Sequence, residues 1–473
     1  MANTSITTLT PAQMEPMSKA LQELTSLGGD IEGKVVKASG TEIEGNNRPA
    51  RVSFLTTHSM GGSKFSPDGG DLPFGQAVRT AAYFGGHIPY AHSAQLTLAE
   101  RDMNNLSTVD ANKEVFGRQA EMINVKHDIM FHGDGSGILA GAAGGSTTTN
   151  IVDGGVTKTT YTFASASDFI GVVNMVEGLP VEVIASNLST RRAPTSGSDV
   201  TIVEKIDWFT NTVTLSQQIA GASAGDVFAW PGLFAPTGSF VAGYSGAATL
   251  TSFNSAYPTG PSAAATGFTG DPFRHGYQYV LQTDPTAFFF SVQRSLYPIL
   301  QPNSLNVGGA FQYIQMLMLL SQIQYRRPSN ADSLAHVGLL APEQFIGAFN
   351  AGQGVVESMR TVGDRFGKTL DATPENSKYS DSVEICGITC YKDRRAKKDQ
   401  IALLLPDKIG KVIGKKLEIY NPQGGNGFMP LPSTAGTIST NIAMWMTDSW
   451  DYMYYDPGSF GVLNGLTVPT IFA

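Results

Sequence analysis

Residues 56–98 constrain this chain more than any other stretch. The run from His58, HSMGGSKFSPDGGDLPFGQAVRTAAYFGGHIPYAHSAQLTL, holds seven glycines and three prolines among aromatic residues. That density of helix breakers precludes a stable helix. The segment is also too long for an ordinary connection, and loops of this length are functional or disordered. Disordered chains are poor in aromatics, yet Phe65, Phe74, Tyr83, Phe84 and Tyr90 all fall here. The stretch therefore reads as a projecting arm that folds against a neighbouring subunit, with a strand at 95–98.

Composition bears on the same point. Asp, Glu, Lys and Arg make up 15% of the chain, and 52 of its 473 residues are glycine, against typical shares of about 25% and 7%. A loop-rich protein with many tight turns has this composition. So does a chain whose surface is covered by partners, because interface cores are depleted in charge. The net charge of −8 weighs against a dedicated nucleic-acid binder, which carries a basic footprint. It leaves room for sequence-blind contact with packaged nucleic acid on one face. Residues 1–10 show no secretion signal. The longest apolar runs, such as 316–320, fall far short of the roughly 20 residues that span a bilayer. Synthesis in the cytosol and no membrane partner are expected.

Elsewhere helices and strands mix. A short amphipathic helix is predicted over 10–27, ended by Gly28-Gly29. A long helix is predicted over 107–132, opened by Ser107 and Asp110 as a capping pair. Its stripe is Phe116, Ala120, Ile123 and Met130, and its length is roughly 36 Å. Residues 140–270 are dominated by Ser, Thr, Gly and Ala, with short β-like runs at 181–184, 200–203, 213–215 and 227–230. Residues 206–215 read as strand, turn, strand. Farther on, the pattern predicts a helix over 307–325, a buried strand over 335–340 and a helix opened by Pro342. Strands follow over 383–391 and 400–405, and the tail is β-like from Thr440.

A search for chemistry returns little. His127 and His132 are five apart, which misses the i, i+4 face of a zinc-binding helix, and the glutamate of that motif is absent; packing or surface roles are expected. GDGSG at 133–137 follows a helix, where a phosphate-cradling loop must follow a strand. It reads as a glycine-rich helix stop. Gly410-Lys411 and Gly414-Lys415 lack the spacing of a P-loop. GYSGA at 243–247 approaches a nucleophile elbow around Ser245 but lies in Thr/Ala/Gly-rich loop sequence. Cys386 and Cys390 read as residues of one strand, about 13 Å apart. That is too far for a disulfide, so both are expected as small buried hydrophobes in a reducing compartment. No catalytic, cofactor-binding or metal residue is predicted. Residues 391–416 carry nine Lys/Arg and three Asp. Within them Lys392, Arg394, Arg395, Lys397 and Lys398 form either a solvated edge or a patch that meets acidic neighbours or packaged DNA.

The order of these features resembles the major capsid proteins of tailed bacteriophages, with the Hong Kong 97-type fold. The resemblance is carried by the arm at 56–98 and by the long helix ending in NVKHDIMFHGDGSG (124–137). It continues through GLLAPE (338–343), CGI (386–388), ALLLPDKIG (402–410) and the closing GLTVP (465–469), and so spans most of the chain. It implies an α+β, Hong Kong 97-like capsid fold with an extended hairpin arm, a spine helix, peripheral and axial domains, and a β-rich insertion. The implied divisions are an N-terminal arm over 1–55, the hairpin arm (E-loop) over 56–98, and the spine helix with part of the peripheral domain over 99–150. The insertion covers 151–270, the mainly axial domain 271–405, and returning C-terminal strands 406–473.

By the same resemblance the chain is a non-enzymatic subunit assembling through pentamers and hexamers into an icosahedral or prolate head shell. It would be made and assembled in the host cytoplasm and reside in the virion, with double-stranded DNA on its inner face. Scaffold, portal and decoration proteins are further implied partners. Lys64, Phe65, Phe74, Tyr83, Phe84 and Tyr90 are implied inter-subunit contacts. The alternatives are an encapsulin-type nanocompartment shell, another virion part such as a tail tube subunit, and a hydrolase using Ser245.

Overall fold

The computed structural model describes residues 31–36, 41–42, 51–57, 78–83, 90–97, 111–133, 135, 137–141, 147–163, 172–185, 191–195, 201–208, 210–223, 226–231, 274–283, 288–290, 292–326, 336–348, 382–419, 428–432 and 438–468. They divide into two compact units. One gathers the elements at 31–42, 90–131 and 410–453; the other gathers those at 51–83, 132–409 and 454–468. Helix and sheet are mixed in the chain as a whole.

The first unit holds the long helix, Ala111–Phe131. Ile123, His127 and Met130 are buried on it at spacings i, i+4 and i+7, the period of one helical face. His127 thus occupies a core position of the apolar stripe. The sheet of this unit is organised by the 17-residue strand Ile438–Tyr454. Tyr90–Thr97 and Phe428–Pro432 both run antiparallel to it. Ile409–Ile419 and Thr41–Glu42 complete five strands, the latter pair running parallel to residues 412–413.

The second unit contains two large sheets. The six-stranded one has the order Asn303–Gly309, Gly461–Leu466, Ile401–Leu404, Val337–Leu340, Ile388–Lys392, Ser382–Ile385. Its middle strands VGLL and IALL are buried at every residue, as expected of strands covered on both faces. The helix Tyr313–Arg326 packs on this sheet through Met316, Leu319 and Ile323. It approaches where Gly461 leaves room: a Cβ at that residue would stand 3.0 Å from Ile323 and 3.1 Å from Leu319.

Two expectations are corrected here. The helix predicted from 307 begins at Tyr313, because 303–309 pair in parallel with Gly461–Leu466. Leu305 and Val307 turn from one side of that strand onto the core. The single strand predicted over 383–391 is a hairpin, Ser382–Ile385 against Ile388–Lys392. Cys386 and Gly387 form its turn with φ of 53° and 79°. Positive φ at both central residues is the two-residue turn that matches strand twist. Cys386 is therefore a half-buried turn residue and Cys390 a buried strand residue, and both thiols are free. Burial pushes the Cys390 thiol up to about 12, with Cys386 adding to it.

The other large sheet has the order Ile138–Gly141, Val227–Ala229, Pro180–Ile184, Thr201–Asp207, Thr212–Leu215, Val156–Thr162, Thr147–Asp153, with Arg191–Arg192 paired to Pro180–Ile184. Its core is aromatic, with Tyr161 and Phe163 packed edge-on against Phe228 at 5.0 and 5.4 Å. Asp226, buried at the base, accepts hydrogen bonds from the Tyr161 hydroxyl (3.0 Å) and the Ser223 amide (2.9 Å). The Arg192 guanidinium pairs with the same carboxylate. The helix predicted over 10–27 and the stretch 237–270 lie outside the described residues.

Candidate assembly surfaces

The first surface is a hairpin. Arg51–Thr57 runs antiparallel to Val78–Tyr83, from Arg51 opposite Tyr83 to Thr57 opposite Val78. Among the described residues these strands pair with each other and with no third strand. Tyr83 ends the hairpin. Tyr90 instead opens a strand of the first unit's sheet, opposite Asp448. Pairing in this hairpin begins at Arg51, before the expected arm limit of 56, and 90–97, within the expected arm, is a sheet strand. Lys64, Phe65, Phe74 and Phe84 lie outside the described residues.

The second surface was not foreseen. Helix Tyr313–Arg326 is apolar on two sides. Met316, Leu319 and Ile323 face its own core, while Ile314 (55% exposed), Leu317 (48%), Met318 (49%) and Tyr325 (93%) face outward. The signal was in the sequence: YIQMLMLLSQIQYR has a single charge and apolar residues on two sides, more than one core-facing stripe requires. Beside its C-terminal end lies an open cavity of about 450 Å³, lined by Gln301, Asn303, Ser304, Gln322, Tyr325 and Arg326.

The basic run does not form one uniform patch. Lys392 and Arg394 are exposed, whereas Lys397 and Lys398 are half-buried. Lys398 pairs with Glu343 at 3.0 Å. Arg395 is 2% exposed, and its backbone amide donates to Asp393 Oδ1 at 2.8 Å. Arg395 is thus corrected from a surface contact to an interior residue: the turn after Lys392 folds back over the sheet end, where the Asp393 amide donates to Leu340 O.

The histidines singled out by the sequence are interior. His132 Nε2 lies 2.5 Å from Asp393 Oδ2 and packs edge-on to Tyr277. In the first unit, His127 Nε2 lies 3.2 Å from Asp448 Oδ2, which also accepts from Trp450 Nε1 at 3.1 Å. Nearby, Glu32 is 1% exposed. It accepts from the Tyr452 hydroxyl at 2.8 Å and pairs with Lys411, whose ammonium sits over the Trp450 ring. Burial alone would raise the Glu32 carboxyl, but the charges of Lys411 and His127 and the bonds from Lys411 and Tyr452 outweigh it and hold it at about 2. Among the described residues no cluster of three His, Cys, Asp or Glu side chains could hold a metal ion. Ser245 lies outside the described residues.

No protein-family model matches the chain, and no curated protein does. Among solved structures it is similar to the cyanophage A-1(L) capsid asymmetric unit, with 10% identity, 99% of this chain and 97% of that one covered, and a TM-score of 0.40. It is also similar to the bacteriophage PhiM1 mature capsid (8% identity, 90% and 85% covered, TM-score 0.36). A third is the virus-like particle from Pyrococcus furiosus (8% identity, 95% and 99% covered, TM-score 0.32).

Proposed function

We propose that this chain is the major capsid subunit of a tailed phage, a structural protein that self-assembles into the head shell around double-stranded DNA. The observation that carries the reading is the hairpin Arg51–Thr57/Val78–Tyr83, which no third strand joins among the described residues. A lone two-stranded hairpin is marginal in water and needs further strands or a packed face to persist. Covered by the next copy in a ring, it becomes one of many modest contacts whose sum closes a shell. The scarcity of charge and the outward apolar side of helix Tyr313–Arg326 support the same reading.

On this reading the fold is of the Hong Kong 97 type. The hairpin is the extended arm, Ala111–Phe131 the spine helix, the first unit the peripheral domain, the six-stranded sheet the axial domain, and the eight-stranded sheet an insertion. Lys64, Phe65, Phe74, Tyr83 and Phe84 meet neighbouring copies. Lys392 and Arg394 are the members of the basic run available to neighbours or to DNA. The subunit acts in the virion, after assembly in the host cytoplasm with scaffold and portal proteins.

Negative-stain microscopy of the purified full chain tests this. Closed particles, or pentamers and hexamers on a sizing column, are expected. Open tubes, or a monomer at high concentration, would refute it.

A further inference from the structure

The eight-stranded sheet ends in a hairpin, Thr147–Asp153 paired with Val156–Thr162, turned by Gly154 and Gly155, both at positive φ. Among the described residues Thr147–Asp153 is an edge strand. The sheet core holds Thr159 and Tyr161 on the returning strand, both fully buried. Toward the turn the hairpin runs beyond that core: Ile151 is 40%, Val152 73% and Val156 50% exposed. Natural edge strands are blunted by lysine, proline or a bulge, and TTTNIVD has none of these. The lysine across from it, Lys158, is held by Asp153 at 2.8 Å and Glu204 at 2.6 Å. Successive side chains alternate between the two faces of a strand, so Ile151 and Val156 share one face of the tip with Asp153, whose side chain is 67% exposed, and Val152 lies on the other.

The outward side of helix Tyr313–Arg326 has matching character. Ile314, Leu317, Met318 and Tyr325 follow one another at i, i+3, i+4 and i+11, a stripe of about 17 Å. No acidic residue lies on this helix, and its one charge, Arg326, sits at the C-terminal end. Arg326 donates to the carbonyls of Gln301 and Pro302 at 3.3 and 3.4 Å, which holds the guanidinium at the rim of the cavity beside Tyr325.

We propose that the apolar stripe of helix Tyr313–Arg326 docks a second copy of this chain and receives the tip of that copy's hairpin, Thr147–Thr162. Apolar surface meets apolar surface, and Asp153 of one copy faces Arg326 of the other across the rim, where opposite charges set register. The two surfaces differ, so the contact is head-to-tail and propagates from copy to copy. Two small side chains, Ile151 and Val156, against four bury only a few hundred Å², below the roughly 1,000 Å² of a self-sufficient interface. The contact therefore holds inside an assembly and not as an isolated dimer. It rests on the shell reading and specifies which surfaces that shell uses.

The test is co-assembly of two full-length variants, Val156→Cys and Met318→Cys, followed by mild oxidation of the particles, with the unmodified chain setting the background from Cys386 and Cys390. A covalent dimer in the mixture, absent from either variant alone, is expected. A dimer from Met318→Cys alone would put two stripes face to face and overturn the proposal. So would intact particles that yield no covalent product. Failure of the unmodified chain to assemble refutes the shell reading instead. A second measurement guards against variants that disturb the tip. Asp153→Lys and Arg326→Glu each slow assembly by about tenfold, and the two together restore it. Assembly that is unaffected by either reversal overturns the docking.

Discussion

In the six-stranded sheet of the second unit, the interior is aliphatic: Leu319, Leu340, Ile401, Leu403 and Leu463 are fully buried, with Ile323 1% exposed. In the first unit the interior around Tyr452 holds Glu32, His127 and Asp448, each under a tenth exposed, joined by Lys411, Trp450 and Tyr452. The difference teaches where specificity and stability separate. Aliphatic packing is non-directional and indifferent to pH. A buried charge is tolerated only while every partner is in place. The interior around Tyr452 accordingly depends on the surrounding solution more than the aliphatic interior of the six-stranded sheet does.

The largest way to break this contrast is Lys411→Met, which leaves Glu32 buried beside fewer positive groups. It is expected to destabilise the first unit by about 3–5 kcal/mol, read as a fall in its denaturation midpoint, and to flatten or reverse the dependence of that midpoint on acid. A slope as steep as in the unmodified chain would show that Lys411 is not what holds Glu32 ionised. Leu403→Ala, in the aliphatic interior, is expected to lose about 2–5 kcal/mol, equally at pH 7 and pH 4. A strongly pH-dependent loss there would dissolve the distinction.

Acid itself sharpens the contrast next. The Glu32 carboxyl is held at about 2, against an ordinary value of 4.5. A depressed acid contributes stability that is fully present above its unfolded value and is lost as pH falls through the window from 4.5 to 2. The contribution is on the order of 3 kcal/mol. Hydrogen exchange at pH 3 should show the amides of Ala111–Phe131 opening before those of Ile401–Leu404, and the reverse order would contradict the assignment. The smallest effect is expected at Ile202, which is 47% exposed. Ile202→Thr should change stability by under about 0.5 kcal/mol in a thermal melt, because no interior depends on it.

Local pattern carried much of the fold. The apolar runs at 337–340 and 401–404 are strands because nothing in them suits water. The long helix was legible from its stripe, although its buried His127 was not, since a histidine at a core position looks like any exposed one until its aspartate partner, 321 residues away, is known. Two local readings failed for one reason. At 307–309 the residues read as helix, and at 386–387 as strand. The first is set by a partner strand more than 150 residues distant and the second by two backbone angles.

The candidate surfaces divide in the same way. The glycine- and aromatic-rich stretch reads as one segment in the sequence, whereas its strand Val78–Tyr83 pairs with Arg51–Thr57 and its strand Tyr90–Thr97 pairs over eight residues with Ile438–Tyr454. The five basic residues near 395 looked alike; a turn folding over the sheet end buried Arg395 and left Arg394 exposed. The sequence by itself determined which segments are apolar, which are helical or extended, and that charge is scarce. Tertiary structure decided which side of helix Tyr313–Arg326 is core and which is surface, and which acids are partnered. Those choices depend on what packs against each residue, and periodicity along a chain records that a face is apolar without recording what covers it.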